Sequence, residues 1–536
     1  MYRKTIFILT SLILISIQLL GQNYNPQRTE LKFNNVIDYI SNYYVDTVNM
    51  PKLVEKAIVE MLKELDPHSV YFTKEEMEKA NEPLVGNFEG VGIQFQVYKD
   101  TILVVDAIKG GPSEKLGIRA GDKILKIDNE DATGAKVTSS YVVGKLRGAK
   151  GTKVVVSIKR KSSIELIDYT IIRDKIPLNS IDAAFKISKD VGYIRLDRFS
   201  RTTMSEFRDA ITKLNTEGIS SLIFDLRGNS GGYLDVAIDL ADEFLPSGML
   251  IVYTEGVNSP MQRYSSTSRG NFEKGKLIVL IDEGSASASE IVSGAIQDWD
   301  RGLILGRRSF GKGLVQRPFN LIDGSVIRLT TARYHTPTGR CIQKSYSEGI
   351  DKYYEDFSKR MKKGEFIHPD SIKFPDSLKY FTPAKRIVYG GGGIMPDIFV
   401  PMDTTTVSSF YVDLRRKRII NDFIVEYVDT KRDSLKSKFI SFDEFNKIFK
   451  IDNSFMNNFY EFAKKQSVEK KDAEKNTDKD IDSEKFLICQ LKALIASNIW
   501  GSDKYYRVII DVDNELKKAL EIIVDEKLFK KLKISF

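Results

Sequence analysis

The chain of 536 residues is 42% hydrophobic and 29% charged, which excludes a disordered chain, a multi-span membrane protein and a disulfide scaffold, and its length implies about three or four domains. Lys+Arg 81 against Asp+Glu 73 leaves +8, or +6 without Arg3 and Lys4 of a removable leader, and a surplus so diluted lacks the basic stripe of a nucleic-acid binder. Cys341 and Cys489 are too few for a disulfide framework or a thiolate metal set, and His68, His335 and His368 are scattered with no H-E-x-x-H, so no metal and no cofactor is expected.

Arg3-Lys4 and the apolar run Ile6 to Leu20 have the form of a secretory signal, a positive n-region followed by an h-region of roughly 15 residues. A membrane span needs about 20. Residues 1–22 are therefore expected to be a signal peptide that carries the chain across the inner membrane into the periplasm; left uncleaved, they would keep it membrane-associated. Over residues 23–84 the apolar positions Val36, Ile37, Ile40 and then Leu53, Ala57, Ile58, Met61, Leu62, Leu65 recur at three- and four-residue spacing, which predicts helices. Pro67 ends the second, and Thr73-Lys74-Glu75-Glu76 carries the N-terminal signature of a third.

Residues 85–175 change texture to short β runs, Val91–Phe95, Ile102–Val105, Ile124–Ile127 and Val154–Ile158, punctuated by Gly-Gly-Pro and Ala-Gly-Asp. Residues 176–400 alternate strand and helix. The segments are Tyr193–Leu196, Met204–Leu214, Ser221–Leu226, Tyr233–Phe244, Leu277–Ile281, Ser287–Asp298 and Leu303–Leu305, then a hairpin turning at Asp323-Gly324. Residues 401–536 are charged and mostly helical, and the polar stretch 464–485 holds so few apolar residues that a flexible segment is expected there. The expected fold class is multidomain α+β: a helical N-terminal region, a compact β domain, an α/β core and a charged helical C-terminal region.

Three segments of the α/β region could carry chemistry. Gly228-Asn229-Ser230-Gly231-Gly232 fits G-x-S-x-G between a strand and a helix, the setting of a nucleophile elbow; its glycines can equally bring backbone N–H groups to a helix start. A triad on Ser230 would need His335 or His368. Gly306 to Gly313 is one residue short of a phosphate loop, with Gly313 where Ser or Thr would hold magnesium, and Leu314–Pro318 cannot readily open the helix that such a loop requires. Ser285-Ala286-Ser287-Ala288-Ser289-Glu290 heads a helix, and Ser287-x-x-Glu290 is by itself a sufficient capping box. Lys312, set between two glycines after the next strand, adds a base that a tight loop can bring to that helix start.

Here the residues resemble the tail-specific, or carboxy-terminal processing, serine proteases of peptidase family S41, which use a Ser–Lys dyad. The likeness rests on the S-A-S-A-S-E run, Phe310-Gly311-Lys312-Gly313 and Gln316. Gly90-Val91-Gly92-Ile93, Gly111-Pro112-Ser113 and Gly117 to Asp122 look like that family's PDZ domain. Asp66-Pro67-His68-Ser69, Asp225 to Asn229 and Gly393 to Asp397 follow its order, so the likeness spans roughly residues 30–400. It implies Ser287 as nucleophile, Lys312 as general base, Gln316 orienting the lysine, and the N–H groups of Gly232 and Ala288 as oxyanion hole. Asp298 falls on an acidic position of the family, where a surface or helix-terminal role is an equal reading. Gly231-Gly232 replaces the triple glycine often seen there, with Ser230 in the first place.

A lysine takes a proton only when neutral, and an ordinary pKa near 10.4 must be lowered by burial. An apolar pocket with no carboxylate partner is therefore expected around Lys312. The PDZ likeness implies capture of a chain end by strand addition, with Gly90, Val91, Gly92 and Ile93 offering the carboxylate loop and Ile93 and Phe95 lining an apolar pocket. The expected function is an extracytoplasmic serine endopeptidase that takes polypeptides with apolar C-termini and cleaves them through an acyl-enzyme. The alternative is a catalytically silent PDZ peptide-binding scaffold. Helices beyond residue 401 are candidates for homo-oligomer contacts or for docking an adaptor or activator.

Overall fold

The computed structural model describes residues 26–161, 163–404, 408–470 and 478–534; the expected signal peptide lies outside them. The chain divides into two compact units, residues 1–65 and 66–536. The first contains α1 (Pro26–Tyr43) and α2 (Met50–Lys63). Asn49 caps α2 by accepting from Lys52 N at 3.1 Å, and Pro51 occupies its first turn, where a missing N–H is not needed.

The second unit opens with β1 (Val70–Phe72), α3 (Lys74–Val85) and β2 (Asn87–Gly90). Thr73 and Glu76 cap α3 reciprocally: Thr73 Oγ1 accepts from Glu76 N at 3.2 Å and Glu76 Oε2 accepts from Thr73 N at 2.9 Å. The β domain comprises β3 (Ile93–Tyr98), β4 (Thr101–Ala107), α4 (Pro112–Lys115), β5 (Lys123–Ile127), β6 (Glu130–Asp131), α5 (Ser139–Leu146), β7 (Lys153–Lys159) and β8 (Ile167–Ile172). β9 (Asp174–Pro177) leads out of it and pairs with β2. The antiparallel order β3-β4-β5-β7-β8 leaves β3 at an edge. Ile102, Val104, Ile124, Val154, Val156 and Ile158 turn inward with Val142 and Leu146 of α5. With only eight residues, α5 is too short for apolar spacing to reveal in the sequence.

The α/β core runs β10 (Ile181–Lys186), β11 (Val191–Leu196), α6 (Thr203–Thr216), β12 (Ser221–Asp225), α7 (Leu234–Asp242), β13 (Leu250–Gly256) and β14 (Ser259–Ser265). It continues through β15 (Lys276–Ile281), α8 (Ala288–Asp298), β16 (Leu303–Gly306), β17 (Leu314–Asn320), β18 (Val326–His335), α9 (Ile350–Tyr354) and α10 (Asp356–Lys362). It closes with β19 (Lys379–Phe381), β20 (Ile387–Tyr389) and β21 (Ile398–Phe399). The main sheet is ordered β10-β11-β12-β15-β16-β21, parallel except for β10. β18 carries β17 on one edge and β1 and β13 on the other.

Strands β11, β12, β15 and β16 read as near-continuous apolar runs because both faces of the sheet are covered. Leu196, Phe224, Val279 and Ile304 pack on α6, α7 and α8. Tyr193, Ile223, Leu280 and Leu305 face the opposite way and meet Leu516, Ile522, Ile523 and Phe529. Those last residues belong to α17 (Asn514–Ile523) and α18 (Glu526–Lys531), so the C-terminal segment supplies the second helical layer of the core.

Between core and terminus lie α11 (Ser409–Arg416), α12 (Ile419–Lys438), α13 (Phe442–Ile448), α14 (Asn453–Lys465), α15 (Asp478–Trp500) and α16 (Asp503–Ile509). They share a core that includes Leu414, Phe423, Phe445, Phe459 and Leu491. α12 contacts the edge strand β3: Gln96 Nε2 donates to Asp422 Oδ1 at 3.0 Å, Lys99 pairs with Glu426 at 3.1 Å, and the Tyr98 hydroxyl donates to the same carboxylate. The polar stretch 464–485, where a flexible segment is expected, contains the start of a helix at its far end. Residues 478–485 open α15, where Lys470 pairs with Asp480 at 2.8 Å and Glu484 at 3.0 Å. Residues 471–477 lie outside the described residues. No helix among the described residues is long and apolar enough to cross a membrane.

Phe529 is fully buried against the sheet. Phe529→Ala is expected to lower the unfolding free energy by about 3–5 kcal/mol, read as a lower urea midpoint; a midpoint equal to the parent's would show that α18 does not cover that face.

Candidate active site

Three neighbouring parallel strands, β12, β15 and β16, release their chains at the same end of the sheet, the edge at which open α/β sheets place their sites. The segment after β12 holds Gly228 to Gly232, that after β15 leads to Ser287, and that after β16 leads to Lys312. Ser230, Gly232, Ser287, Ala288, Lys312 and Gln316 all line one cavity of 390 Å³, together with Met77, Arg328 and Tyr334.

Ser287 immediately precedes α8 at φ 56° and ψ −110°, a strained setting for a residue with a Cβ. Glu290 N donates to the Ser287 carbonyl at 2.9 Å. The Glu290 carboxylate caps the helix start in return and reaches well beyond its own helix. Oε2 accepts from Ser287 N at 2.8 Å and Lys312 N at 2.9 Å; Oε1 accepts from Gly311 N at 2.7 Å and Ser309 Oγ at 2.5 Å. On the carbonyl side, the buried Tyr334 hydroxyl lies 2.5 Å from Lys312 O and 3.2 Å from Ser287 O. Burial pushes the Glu290 carboxyl up, against these bonds. Charge-assisted hydrogen bonds contribute roughly 1.5–3 kcal/mol each, so four donors suffice to keep a buried carboxylate in place.

Gly231 and Gly232 must be glycines. At Gly231 (φ 103°) a Cβ would stand 2.9 Å from the Ser287 Cβ, and at Gly232 (φ 155°) 2.0 Å from the Phe199 carbonyl oxygen. Buried Asn229 fixes this loop on the Ser287 segment: its carbonyl accepts from Ala286 N at 3.0 Å and Ser289 Oγ at 2.9 Å, and its Oδ1 accepts from Gly231 N at 2.8 Å.

Burial lowers the Lys312 pKa, the Arg328 cation lowers it further, and Glu290 and Asp66 oppose both. Lys312 forms no ion pair among the described residues. The expected pocket thus differs in one respect: two carboxylates lie near enough to be felt. Each is occupied elsewhere, Glu290 as above and Asp66 by His68 N at 2.8 Å, Ser69 N at 3.0 Å, Ser69 Oγ at 2.6 Å and Thr330 Oγ1 at 3.0 Å. Gln316 lies in the same cavity, but its amide donates to Thr330 Oγ1 at 3.5 Å rather than to Lys312. His68 is bonded through Nε2 to the Tyr353 hydroxyl at 2.8 Å; burial and the Lys312 cation push its pKa down to about 4, so it is neutral beside the lysine at pH 7.

The other sequence candidates fall elsewhere. Ser230 is exposed on the cavity wall, whereas His335 stacks on Tyr253 with ring centres 4.7 Å apart and the exposed His368 donates its backbone N–H to Gly364 O at 2.8 Å; neither histidine lines that cavity. The Gly306–Gly313 segment runs into strand β17 instead of a helix, and Arg307 and Arg308 within it are paired with Glu283 and Glu365. Asp298 is at a helix end but not at the surface: it is buried against Arg340 at 2.7 Å and accepts from Thr338 N at 2.9 Å. In the β domain, Gly90, Val91, Gly92, Ile93 and Phe95 lead into and along the edge strand β3. The carbonyls of Val91 and Gly92 accept from Ser113 Oγ at 2.6 Å and Ile108 N at 2.9 Å, while Ile93 and Phe95 join the apolar cluster that includes Val142 of α5.

Sequence reasoning missed Tyr334, Arg328 and the reach of Glu290. The first two sit in β18 with no motif to mark them. Glu290 carried a signal, the capping box, that pointed only to its own helix. Lys312 is expected to titrate below the ordinary lysine value, and Arg328→Gln, which removes a repelling cation, is expected to move that titration upward. The pH dependence of reductive methylation at Lys312, followed by mass spectrometry, reads both; an unchanged or lowered titration in the variant would refute the role of Arg328.

Family models match the chain in four places. These are Peptidase family S41 over residues 190–355, a PDZ domain over 90–171, the activating protease CtpB N-terminal domain over 16–76, and a family of unknown function, DUF8443, over 410–501. The carboxy-terminal-processing protease of Bartonella bacilliformis is 36% identical over 343 residues, 63% of this chain and 78% of the relative. A probable CtpA-like serine protease of Staphylococcus aureus is 35% identical over 332 residues, 62% of this chain and 66% of the relative. Among solved structures, the photosystem II D1 C-terminal processing protease is 26% identical, covering 69% of this chain and 86% of that one, with a TM-score of 0.36.

Proposed function

Because the chain belongs to peptidase family S41, the carboxy-terminal processing proteases, and is a serine-type peptidase with a PDZ domain, we propose that it hydrolyses proteins through a Ser287–Lys312 dyad and selects them by their C-terminal tails. The observation that carries this reading is the double tie between the two segments. Glu290 accepts from the N–H of both Ser287 and Lys312, the Tyr334 hydroxyl faces both carbonyls, and the half-buried lysine has a lowered pKa.

In this reading neutral Lys312 Nζ takes the Ser287 proton as Oγ bonds to the scissile carbonyl carbon. The carbonyl oxygen becomes an oxyanion facing the N–H groups of Gly232 and Ala288, each donor worth about 3 kcal/mol in the transition state. The N-terminus of α8 favours that negative charge. The C–N bond then breaks, the amine leaves with the proton held by Lys312, and water, deprotonated by the same lysine, releases the acid and restores Ser287. Ser287 and Lys312 line one cavity, and hydrogen bonds between a nucleophile and its base commonly tighten only with substrate bound. In this reading Gln316, on the cavity wall, steadies the lysine once its amide leaves Thr330.

The PDZ domain selects the tail in this reading: an apolar C-terminus adds to edge strand β3, its carboxylate on the Gly90–Ile93 loop and its last side chain against Ile93 and Phe95. The leader form of residues 1–22 supports work outside the cytoplasm, in the periplasm. Purified protein lacking residues 1–22 is expected to cleave an unfolded protein with an apolar tail faster than one with a charged tail. Ser287→Ala and Lys312→Arg are expected to lose more than about 10³-fold in kcat, whereas Ser230→Ala stays active. Loss in Ser230→Ala with retention in Ser287→Ala would move the nucleophile, and no cleavage by the parent would favour a binding scaffold.

A further inference from the structure

We propose that Glu515, in the first turn of the C-terminal helix α17, is a positioning residue for hydrolysis that ties together the segments carrying the oxyanion donor and the base. The inference rests on the reading of Ser287, Lys312 and Gly232 given above. Arg227 directly precedes the Gly228–Gly232 loop, and Arg307 directly follows β16, opening the segment that carries Lys312. The two arginines leave strands β12 and β16, which are separated by β15. Glu515 spans that gap. Its Oε2 accepts from Arg227 Nη1 at 2.5 Å and its Oε1 accepts from Arg307 Nη1. Arg307 Nε also donates to Glu283 Oε2 at 2.8 Å, on the segment that leads to Ser287. One carboxylate from the far end of the chain thereby reaches all three segments of the site.

Each arginine has further partners. Arg227 is bound by Asp225 (Nε to Oδ1 at 3.0 Å) and by Asp513 (Nη2 to Oδ2 at 2.8 Å), and Arg307 by Glu283. Removing the Glu515 charge therefore strands no buried cation, the outcome that ordinarily makes such a change unfold a protein. What is lost is the cross-link. Arg227 and Arg307 are each one residue from glycines, Gly228 and Gly306, at φ 72° and 123°, so the backbone next to each anchor is free to shift once the anchor is released. A small displacement of an oxyanion donor relative to the nucleophile affects the chemical step far more than substrate capture.

The test uses the chain without residues 1–22, as the parent, Glu515→Gln, Arg307→Lys and Ser287→Ala. Arg307→Lys cuts the same bridge from its other end. Expected for both bridge variants is a kcat lower by about 10–100-fold with KM unchanged. The rate of acylation by a small fluorophosphonate probe, which needs the nucleophile and the oxyanion hole but no tail, falls by the same factor, and the urea midpoint stays close to the parent's. Parental kcat in either folded variant would overturn the proposal, as would activity that falls only in step with the folded fraction, or a raised KM at constant kcat. Should Ser287→Ala remain active, the site reading itself fails and takes this inference with it; a dead Ser287→Ala beside a fully active Glu515→Gln refutes the inference alone.

Discussion

The Glu290 carboxylate sits where no water reaches it and accepts four hydrogen bonds, three from backbone N–H groups in two separate segments and one from Ser309. A buried carboxylate is tolerable only when its lone pairs are filled with good geometry, so the segments it binds have little freedom to move apart. That constraint accompanies the strained Ser287 backbone and holds Lys312 at the start of α8, while glycines on either side of the lysine let its segment pass close to other backbone. Gly311 shows the tightness: a Cβ there would meet the Gly392–Gly393 backbone at 3.1 Å.

The same carboxylate creates an electrostatic difficulty, because a lysine next to an anion tends to keep its proton. The structure answers with geometry. Both Glu290 oxygens point at backbone and hydroxyl donors, Asp66 is spent on its own turn and on Thr330, and Arg328 repels the ammonium from across the cavity. Burial, the largest influence on Lys312, decides the direction. His68, neutral and held by Tyr353, adds no charge to the balance.

The parts around this centre are joined by the chain's later segments. α12 contacts the edge strand of the PDZ domain through Asp422 and Glu426, and α17 and α18 close the open face of the main sheet. The region after residue 405, which carries no motif, thus has two structural duties that no family resemblance announced. The DUF8443 match over 410–501 covers the helices that share a core and touch the PDZ domain; the helices that complete the sheet lie beyond it.

Much of this was legible in the residues themselves. Alternating apolar runs and glycine punctuation marked the parallel strands, and Thr73 with Glu76 marked a helix start; these are local properties, set by side-chain period and backbone hydrogen bonding. The order of short motifs was enough to place the family. Other features had no local trace. α5 is too short to show a period, and residues 478–485, polar in composition, nonetheless open α15 with Asp480 and Glu484 paired to Lys470. Tyr334 and Arg328 are ordinary strand residues until β18 folds beside the α8 start. Sequence by itself determined which residues could do chemistry and which elements they sit on, because those depend on neighbours a few positions away. Only the tertiary structure decided that Glu290 would bind backbone 22 residues downstream and that Glu515 would meet Arg227 and Arg307. Hydrogen bonds and buried charges are satisfied by whatever lies within about 3 Å in space, and that proximity exists only once the sheet has brought its strand ends together.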